Sequence, residues 1–144
     1  MTYRAAIILI QDERIALIER HRAGDHYFAF PGGHIEPGET PEQAAGREAW
    51  EELGLQVETV RQVAEGSWQG HPQYYFLVRV IGGTFGTGMG DEMQSPPAGR
   101  GTYHPIWMPL DDILNQPVKP QKIAEFVSRS YKNGWPDKPV MIAS

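Results

Sequence analysis

Cysteine is absent from the 144-residue sequence, which excludes disulfide bonds and thiolate metal sites. The sequence also lacks a long apolar run near its start. The stretch AAIILI at residues 5–10 is too short to span a bilayer, and the acidic QDE after it is unlike a signal-peptide cleavage site. We therefore expect a soluble protein without a targeting segment, and we predict a cytoplasmic location, which the absence of cysteine permits.

Positive charge is scarce. The chain has 13 lysines and arginines against 18 aspartates and glutamates, for a formal net charge of −5. A broad nucleic-acid surface needs a basic face to neutralise phosphates, so no extended nucleic-acid partner is expected. A small anionic ligand is compatible with this charge if cations or local arginines screen it. The hydrophobic share of 40% and the length are ordinary for a globular protein, and we predict one domain over residues 1–144.

Alternating and β-branched patterns predict about six strands. They are expected in residues 3–10, 14–20, 26–30, 57–68, 73–81 and 103–110. The Pro-Gly-Gly at 31–33 is expected to end the third strand, and residues 82–102 are expected to form a hairpin end and a long loop. Because the strands outnumber the helices and do not alternate with them, the pattern favours an α+β sandwich over a doubly wound sheet.

Two helices are predicted, and the first has clear start and stop signals. Thr40 is its expected N-cap, Pro41 takes the first helical position, and Gln43 completes a capping box. Gly54 is the expected stop. The second helix is expected over residues 120–131, where apolar residues recur along one side.

The stretch GREAWEELG at residues 46–54 places three glutamates on one flank of the first helix. At about 100° per residue, Glu51 and Glu52 lie about 60° and 40° to either side of Glu48. The opposite side is expected to pack, and it comprises Gly46, Ala49, Trp50 and Leu53. Such a flank is most simply a solvated surface. Here, however, like charges repel at i,i+4 and the macrodipole disfavours anions near the C-terminus, so we expect a role that offsets these penalties.

Carboxylates gathered without lysine suit a hard divalent cation such as Mg²⁺, which prefers oxygen ligands and is commonly shared with substrate phosphates. A bound cation would also remove the repulsion between the glutamates. Other signals are weaker. The alternating glycines of GTGMG at 86–90 precede acids and prolines instead of a helix. The five histidines are scattered along the sequence and show no zinc spacing.

The residues before the helix extend the acidic pattern. From Gly33 to Leu55 the chain reads GHIEPGETPEQAAGREAWEELGL, which matches G-x5-E-x7-R-E-U-x-E-E-x-G-U, where U is aliphatic. The identical positions are Gly33, Glu39, Arg47, Glu48, Glu51, Glu52 and Gly54. The sequence therefore resembles the signature of the Nudix hydrolase family. The resemblance implies a Nudix-type α/β/α sandwich with a mixed β-sheet, in which this box forms a loop-helix-loop.

The resemblance also implies a reaction and a set of metal ligands. Nudix enzymes cleave a diphosphate linkage in a nucleoside diphosphate attached to another group, using Mg²⁺ or Mn²⁺ and an attacking water. By similarity, Glu51 and Glu52 are the principal metal ligands, and Glu48 is either a third ligand or the base that activates water. The backbone carbonyl of Gly32 is the further ligand that family members often add.

Other roles follow from the same resemblance. Arg47 is expected to orient a neighbouring glutamate, and Glu39 to brace the junction between loop and helix. Gly33 and Gly54 are expected to be structural. Many members recruit one more acid from a loop before a Trp-bearing strand. Glu92 is the candidate here, and a plain solvated loop acid explains it equally well.

Aromatic and basic residues outside the box are candidates for substrate binding. Stacking on a base could involve Tyr27, Phe28, Trp68 or Tyr75, and phosphate could meet Arg20, His21, Arg22 or Arg79. The favoured substrate-binding set is Tyr27, Phe28, Trp68 and Arg22. Aromatic residues in strands are more often part of the core, which is the competing interpretation.

The expected function is metal-dependent hydrolysis of a nucleotide-type diphosphate. A non-standard or oxidised nucleoside triphosphate and a nucleotide sugar such as ADP-ribose are both compatible substrates. The alternative is a catalytically silent Nudix domain that binds a nucleotide as a regulatory or sensing module, although such domains commonly lose box glutamates that this chain keeps. The isoprenoid-diphosphate isomerase branch would need a catalytic cysteine. No membrane partner is expected, and a homodimer remains open.

Overall fold

The computed structural model describes residues 2–90 and 101–143, and within them the chain forms nine strands and two helices. The strands are β1 (Arg4–Gln11), β2 (Arg14–Arg22), β3 (Asp25–Ala29), β4 (Gly32–His34), β5 (Leu55–Trp68), β6 (His71–Gly83), β7 (Thr102–Pro109), β8 (Val118–Lys119) and β9 (Val140–Met141). The helices are α1 (Pro41–Leu53) and α2 (Gln121–Asn133), and a short 3-10 turn covers Leu110–Asp112.

The strands form one mixed sheet in the order β8-β3-β2-β1-β6-β5-β9, with β4 paired to β1 and β7 paired to β2. Strand β1 runs parallel to β6 and antiparallel to β2 and β4. Its pairing with β2 is confined to the hairpin end, where Ile10 faces Ile15. Beyond that point β1 takes β4 and β2 takes β7 as antiparallel partner. The sheet therefore has two halves joined by the β1–β2 hairpin.

Each face of the sheet is covered by one helix, because alternate residues of a strand point to opposite faces. On β2, Leu17 joins a buried cluster that includes Ile123 and Val127 of α2. The adjacent Ile18 joins a second buried cluster that includes Ala49 and Leu53 of α1. The result is a helix-sheet-helix sandwich, which confirms the predicted α+β class.

The predicted limits of α1 are confirmed by its capping contacts. The Thr40 hydroxyl accepts a hydrogen bond from the Gln43 backbone N–H at 3.1 Å, and the Gln43 side chain accepts one from the Thr40 N–H at 2.9 Å. Gly54 closes the helix at φ 76°, a left-handed conformation that glycine adopts without a Cβ penalty. Helix α2 runs two residues further than predicted.

Short strands are the main difference from the predicted pattern. The third strand ends at Ala29, before the Pro-Gly-Gly as predicted, but residues 32–34 then form an unpredicted strand, β4, against β1. Strands β8 and β9 have two residues each, too few to show a periodicity of their own. Strand β5 is continuous over 14 residues, with three register shifts against β6. No helix in the described ranges is long and apolar enough to cross a membrane.

Candidate functional site

A cleft of about 550 Å³ opens where β4 and the C-terminal half of α1 meet the ends of β1, β2 and β5. Its walls carry acidic residues from α1 and basic residues from the strands. The lining includes Arg4, Arg20, Arg22, Gly32, Gly33, His34, Arg47, Glu48, Glu51, Glu52, Trp68, His71, Gly90 and Tyr103. The three predicted helix glutamates therefore share one cavity with several arginines.

The three glutamates differ in exposure according to their position around α1. Glu52 is 5% exposed, and the side chains of Glu48 and Glu51 are 13% and 40% exposed. On the helical wheel they lie about 60°, 100° and 160° from the buried Ala49, in the same order. Trp50 lies about 100° from Ala49 on the other side and is 46% exposed, so the prediction that it packs is wrong.

Glu52 is buried at the junction between α1 and β4. The Gly32 backbone N–H donates to its carboxylate, at 3.0 Å to Oε2 and 3.4 Å to Oε1. Burying a carboxylate is costly unless hydrogen-bond donors compensate it. Strand β4 therefore supplies a donor that orients Glu52 toward the cleft.

Arg47 connects the loop before α1 to the acidic flank of the helix. Its Nη1 donates to Glu48 Oε1 at 2.9 Å and to Glu51 Oε2 at 3.0 Å. Its Nη2 donates to the His34 carbonyl at 2.9 Å. The repulsion between Glu48 and Glu51 is thus already reduced by a shared cation, although Arg47 before Glu51 is the less favourable order for an i,i+4 pair.

The same guanidinium holds Glu39 through a two-pronged contact. Nε donates to Oε2 at 2.8 Å and Nη2 donates to Oε1 at 3.1 Å. The hydrogen bond from Arg47 lowers the pKa of the Glu39 carboxyl below its ordinary value, and the same contact raises the pKa of Arg47. Both groups are therefore charged at neutral pH, and Glu39 connects the loop to the helix.

Gly33 leaves room for a glutamate. A Cβ at this position would collide with the carboxylate of Glu48. At the neighbouring Gly32, a Cβ would lie 2.5 Å from the Ala5 carbonyl oxygen. A side chain is therefore excluded at the two positions for different reasons. At Gly33 the space is taken by the Glu48 carboxylate, and at Gly32 it is taken by the backbone of β1.

The segment after β6 covers the C-terminal end of α1. The N–H of Gly86 donates to the Leu53 carbonyl at 2.9 Å, and the N–H of Gly90 donates to the Glu51 carbonyl at 3.0 Å. These carbonyls belong to the last turn, where no intrahelical donor is available. The segment therefore fixes the end of the helix that carries Glu51 and Glu52.

Comparison with known proteins decides the family. A family model described as the NUDIX domain matches residues 1–129. The chain belongs to the NUDIX domain family. Residues 33–55 are accordingly its Nudix box.

Solved structures of Nudix proteins have the same fold as this chain. A NUDIX hydrolase from Nitrosomonas europaea aligns with TM-score 0.69 and 21% identity over 92% of this chain and 89% of its own. An ADP-ribose pyrophosphatase from Streptococcus suis aligns with TM-score 0.69 and 20% identity over 99% and 98%. A MutT protein from Bacillus halodurans aligns with TM-score 0.65 and 22% identity over 90% and 84%. At these identities the likeness shows the shared fold alone.

The predicted residues outside the Nudix box are distributed unevenly. Trp68 and Arg22 line the cleft, and Tyr27 lies beside it, with its ring centroid 6.2 Å from that of Trp68. Phe28 lies on the other face of β3, where it is 7% exposed in the α2-side core. Tyr75 is fully buried in the same cluster, and burial raises the pKa of its hydroxyl to about 12. Glu92 lies outside the described residues.

Two cleft residues had no sequence signal of their own. The Arg20 guanidinium lies over the Tyr103 ring, with its Cζ 3.7 Å from the ring centroid. Arg4 donates to the Gln73 side chain at 2.8 Å. Strand β7 pairs with β2, and β1 pairs in parallel with β6, so both residues reach the cleft through pairings between distant segments.

The divalent cation implied by the Nudix family fits the donor chemistry of this cleft. Glu48, Glu51 and Glu52 all line it, and they offer only oxygen atoms, which Mg²⁺ and Mn²⁺ prefer. Arg47 and Gly32 hold these carboxylates separately. In the part of the chain that the structure describes, they do not form a set of three ligand atoms within 4.8 Å of one another. Mg²⁺ commonly keeps several waters, so direct contact with all three is not required.

Proposed function

We propose that this Nudix domain is a metal-dependent diphosphatase that hydrolyses a diphosphate linkage in a nucleotide-type substrate by attack of water on phosphorus. The observation that carries the proposal is one cleft lined by three glutamates of α1 together with Arg4, Arg20 and Arg22. Carboxylates of this kind suit a hard cation, and arginines suit phosphate oxygens. A cleft with both is adapted to a metal-bound polyphosphate.

The residues of the Nudix box have different proposed roles in this reaction. Glu51 and Glu52 are the proposed principal ligands of Mg²⁺ or Mn²⁺, and Glu48 is a third ligand or the base that takes the proton from water. The bound metal would neutralise phosphate charge and lower the pKa of the attacking water. Arg47 keeps Glu48 and Glu51 in place through its Nη1 contacts. The Gly32 carbonyl and Glu92 remain predicted further contributors.

The substrate class is proposed from the cleft and from the related folds. Trp68, with Tyr27 beside it, offers an aromatic wall for a base, and Arg22 offers charge for phosphate. One structural neighbour is an ADP-ribose pyrophosphatase and another is a MutT protein. We propose a nucleotide sugar such as ADP-ribose, or a non-standard or oxidised nucleoside triphosphate, as the substrate.

The test is a substrate screen with Mg²⁺ and, separately, Mn²⁺. Nucleoside triphosphates, nucleotide sugars and dinucleoside polyphosphates are incubated with the full chain, and the products are separated by ion-exchange chromatography. Release of pyrophosphate from a triphosphate, or of two monophosphates from ADP-ribose, identifies the class and the bond that is cut. Activity must disappear in excess chelator, because phosphate charge would no longer be neutralised.

The alternative is a silent Nudix domain that binds a nucleotide without turnover. The complete set of box glutamates argues against it, since a binding module does not need a water-activating site. Saturable nucleotide binding by calorimetry, with no product from any compound of the screen, would establish the alternative. A single domain over residues 1–144 and a cytoplasmic location remain predictions of the sequence, and a homodimer remains open.

A further inference from the structure

A cluster of three potential metal ligands lies on β2 and β3, away from the proposed catalytic cleft. It consists of Glu19, His21 and His26, and each residue offers one ligand atom within 4.8 Å of the others. Among the described residues, no other group of three histidine, aspartate or glutamate side chains meets this spacing. The proposed diphosphatase reaction uses none of the three.

The β2–β3 hairpin brings these residues together. His21 and His26 are direct cross-strand partners, and Glu19 precedes His21 by two residues on the same strand, so all three side chains leave one face. The hairpin turn consists of Ala23 and Gly24, both with positive φ, at 50° and 84°. Two such residues give the tight turn whose twist matches the strands. The sequence pattern is E-x-H-x4-H, which differs from the usual zinc-finger spacing.

The cluster lies on the opposite face of β2 from the cleft. Ile18, Arg20 and Arg22 alternate with Glu19 and His21 along the strand, and all three line the cleft. Phe28 is the cross-strand partner of Glu19 and belongs to the α2-side core. The cluster is therefore separated from the glutamates of α1 by the sheet itself.

Side-chain contacts pre-position the cluster. His26 Nε2 lies 2.7 Å from Glu19 Oε2. The rings of His21 and His26 stack with centroids 4.4 Å apart and planes at 11°. The His26 ring also makes an edge-to-face contact with the buried Phe28, with ring centroids 5.1 Å apart, and this contact restricts its orientation. With the side chains of His26 and Glu19 44% and 26% exposed, an ion from solvent can reach them.

We propose that Glu19, His21 and His26 form a second metal site, which binds a divalent transition-metal ion of the Zn²⁺ class. Two imidazoles and one carboxylate are ligands that Zn²⁺ accepts readily, whereas Mg²⁺ prefers oxygen alone. Three protein ligands leave a position for water or a fourth group. His104 is the candidate fourth ligand, because it is exposed and is the cross-strand partner of Glu19 on β7.

The inference that the histidines are scattered therefore fails for His21 and His26. Their separation in sequence hides a direct pairing across the hairpin. His34 and His71 form a different pair, with ring centroids 5.1 Å apart, and both line the cleft. They provide an internal comparison for the metal-binding experiment.

The test is a Zn²⁺ titration of the full chain in excess Mg²⁺, which occupies the oxygen ligands of α1. Imidazole ¹H–¹⁵N spectra report each histidine, and calorimetry gives the stoichiometry. The expected result is one equivalent of Zn²⁺ that shifts the ring signals of His21 and His26 and leaves those of His34 and His71 in place. His21→Gln and His26→Gln should each lose this equivalent, and His71→Gln should keep it.

Three results would overturn the proposal. They are absence of Zn²⁺ binding in excess Mg²⁺, shifts confined to His34 and His71, and unchanged binding in both His21→Gln and His26→Gln. Circular dichroism verifies that the variants fold, which is expected because both histidines are exposed. Glu51→Gln should retain the Zn²⁺ equivalent, so a failure of the diphosphatase proposal would leave this result unaffected.

Discussion

The guanidinium of Arg47 donates to both carboxylate oxygens of Glu39, at 2.8 and 3.1 Å. It also donates to Glu48 and Glu51, so one side chain joins the loop before α1 to the flank that lines the cleft. Arginine suits this position because its rigid fork can serve several acceptors at once. The contact with Glu39 makes the free energy of unfolding depend on pH, and the direction of this dependence can be tested.

The stabilisation from Glu39 should be lost in acid. Its pKa is lowered in the folded chain, principally by the hydrogen bond from Arg47, relative to an ordinary value of 4.5. Between the lowered pKa and pH 4.5 the unfolded chain binds more protons, so the free energy of unfolding rises with pH in that window. The contribution is complete above pH 4.5 and disappears as pH falls through the folded-state pKa.

Urea denaturation of wild type and Glu39→Gln at a series of pH values measures this contribution. We expect the variant to be less stable above pH 4.5 and the two curves to converge in acid. Glu125→Gln, at an exposed position of α2, is the matched control and should follow wild type throughout. A constant difference between wild type and Glu39→Gln at every pH would rule out the proposed linkage.

Local signals allowed the elements that position the site to be predicted. The capping residues Thr40 and Gln43 fix where α1 begins, and Gly54 fixes where it ends. Helical spacing then sets Glu48, Glu51 and Glu52 along one flank. These features depend on residues close in sequence, which is why the acidic side of the cleft follows from the sequence.

Features that depend on distant pairing could not be predicted in the same way. Strand β4 exists because β1 offers it a partner, and the burial of Glu52 results from that strand. Trp50 is apolar but lies outside the contact between α1 and the sheet. The meeting of His21 and His26 needs the register of β2 and β3, which the sequence pattern alone does not set.

Replacing Gly33 or Gly46 with alanine should affect different properties, kcat in the first case and stability in the second. In Gly33→Ala the new Cβ would displace the Glu48 carboxylate, so kcat should fall while the fold persists, because a side-chain end can move. In Gly46→Ala the Cβ meets no atom within 4 Å. That change should stabilise α1 by about 0.5–1 kcal/mol, since glycine lowers helix stability relative to alanine.

Thermal unfolding and steady-state kinetics of the two variants provide the comparison. Gly46→Ala is the control for a general effect of alanine on α1, and its Tm should rise with kcat near that of wild type. Normal kcat in Gly33→Ala would show that the position of Glu48 does not matter for turnover. A large loss of stability in Gly33→Ala would mean that the backbone, and not the glutamate, occupies the space.

Removing the charge of either proposed principal ligand should abolish most turnover without unfolding the chain. Glu51→Gln and Glu52→Gln should each lower kcat by about 100-fold or more, because the metal would lose an anionic ligand. Glutamine keeps an oxygen that can accept the Gly32 N–H, so the fold around position 52 should remain. Glu42→Gln, on the exposed first turn of the same helix, is the matched control. Wild-type turnover in either cleft variant would refute the ligand assignment.

Mg²⁺ should raise the thermal stability of wild type, because an ion that binds only the folded state stabilises it. At 100 times its dissociation constant the gain would be about 2.7 kcal/mol. Arg47 already contacts Glu48 and Glu51, so part of the repulsion is relieved beforehand, and the dissociation constant should be higher than for glutamates without such a contact. Differential scanning fluorimetry with and without Mg²⁺ measures this shift. It should vanish in a Glu51→Gln, Glu52→Gln double variant and persist in Glu42→Gln, whereas an equal shift in all three proteins would place the ion elsewhere.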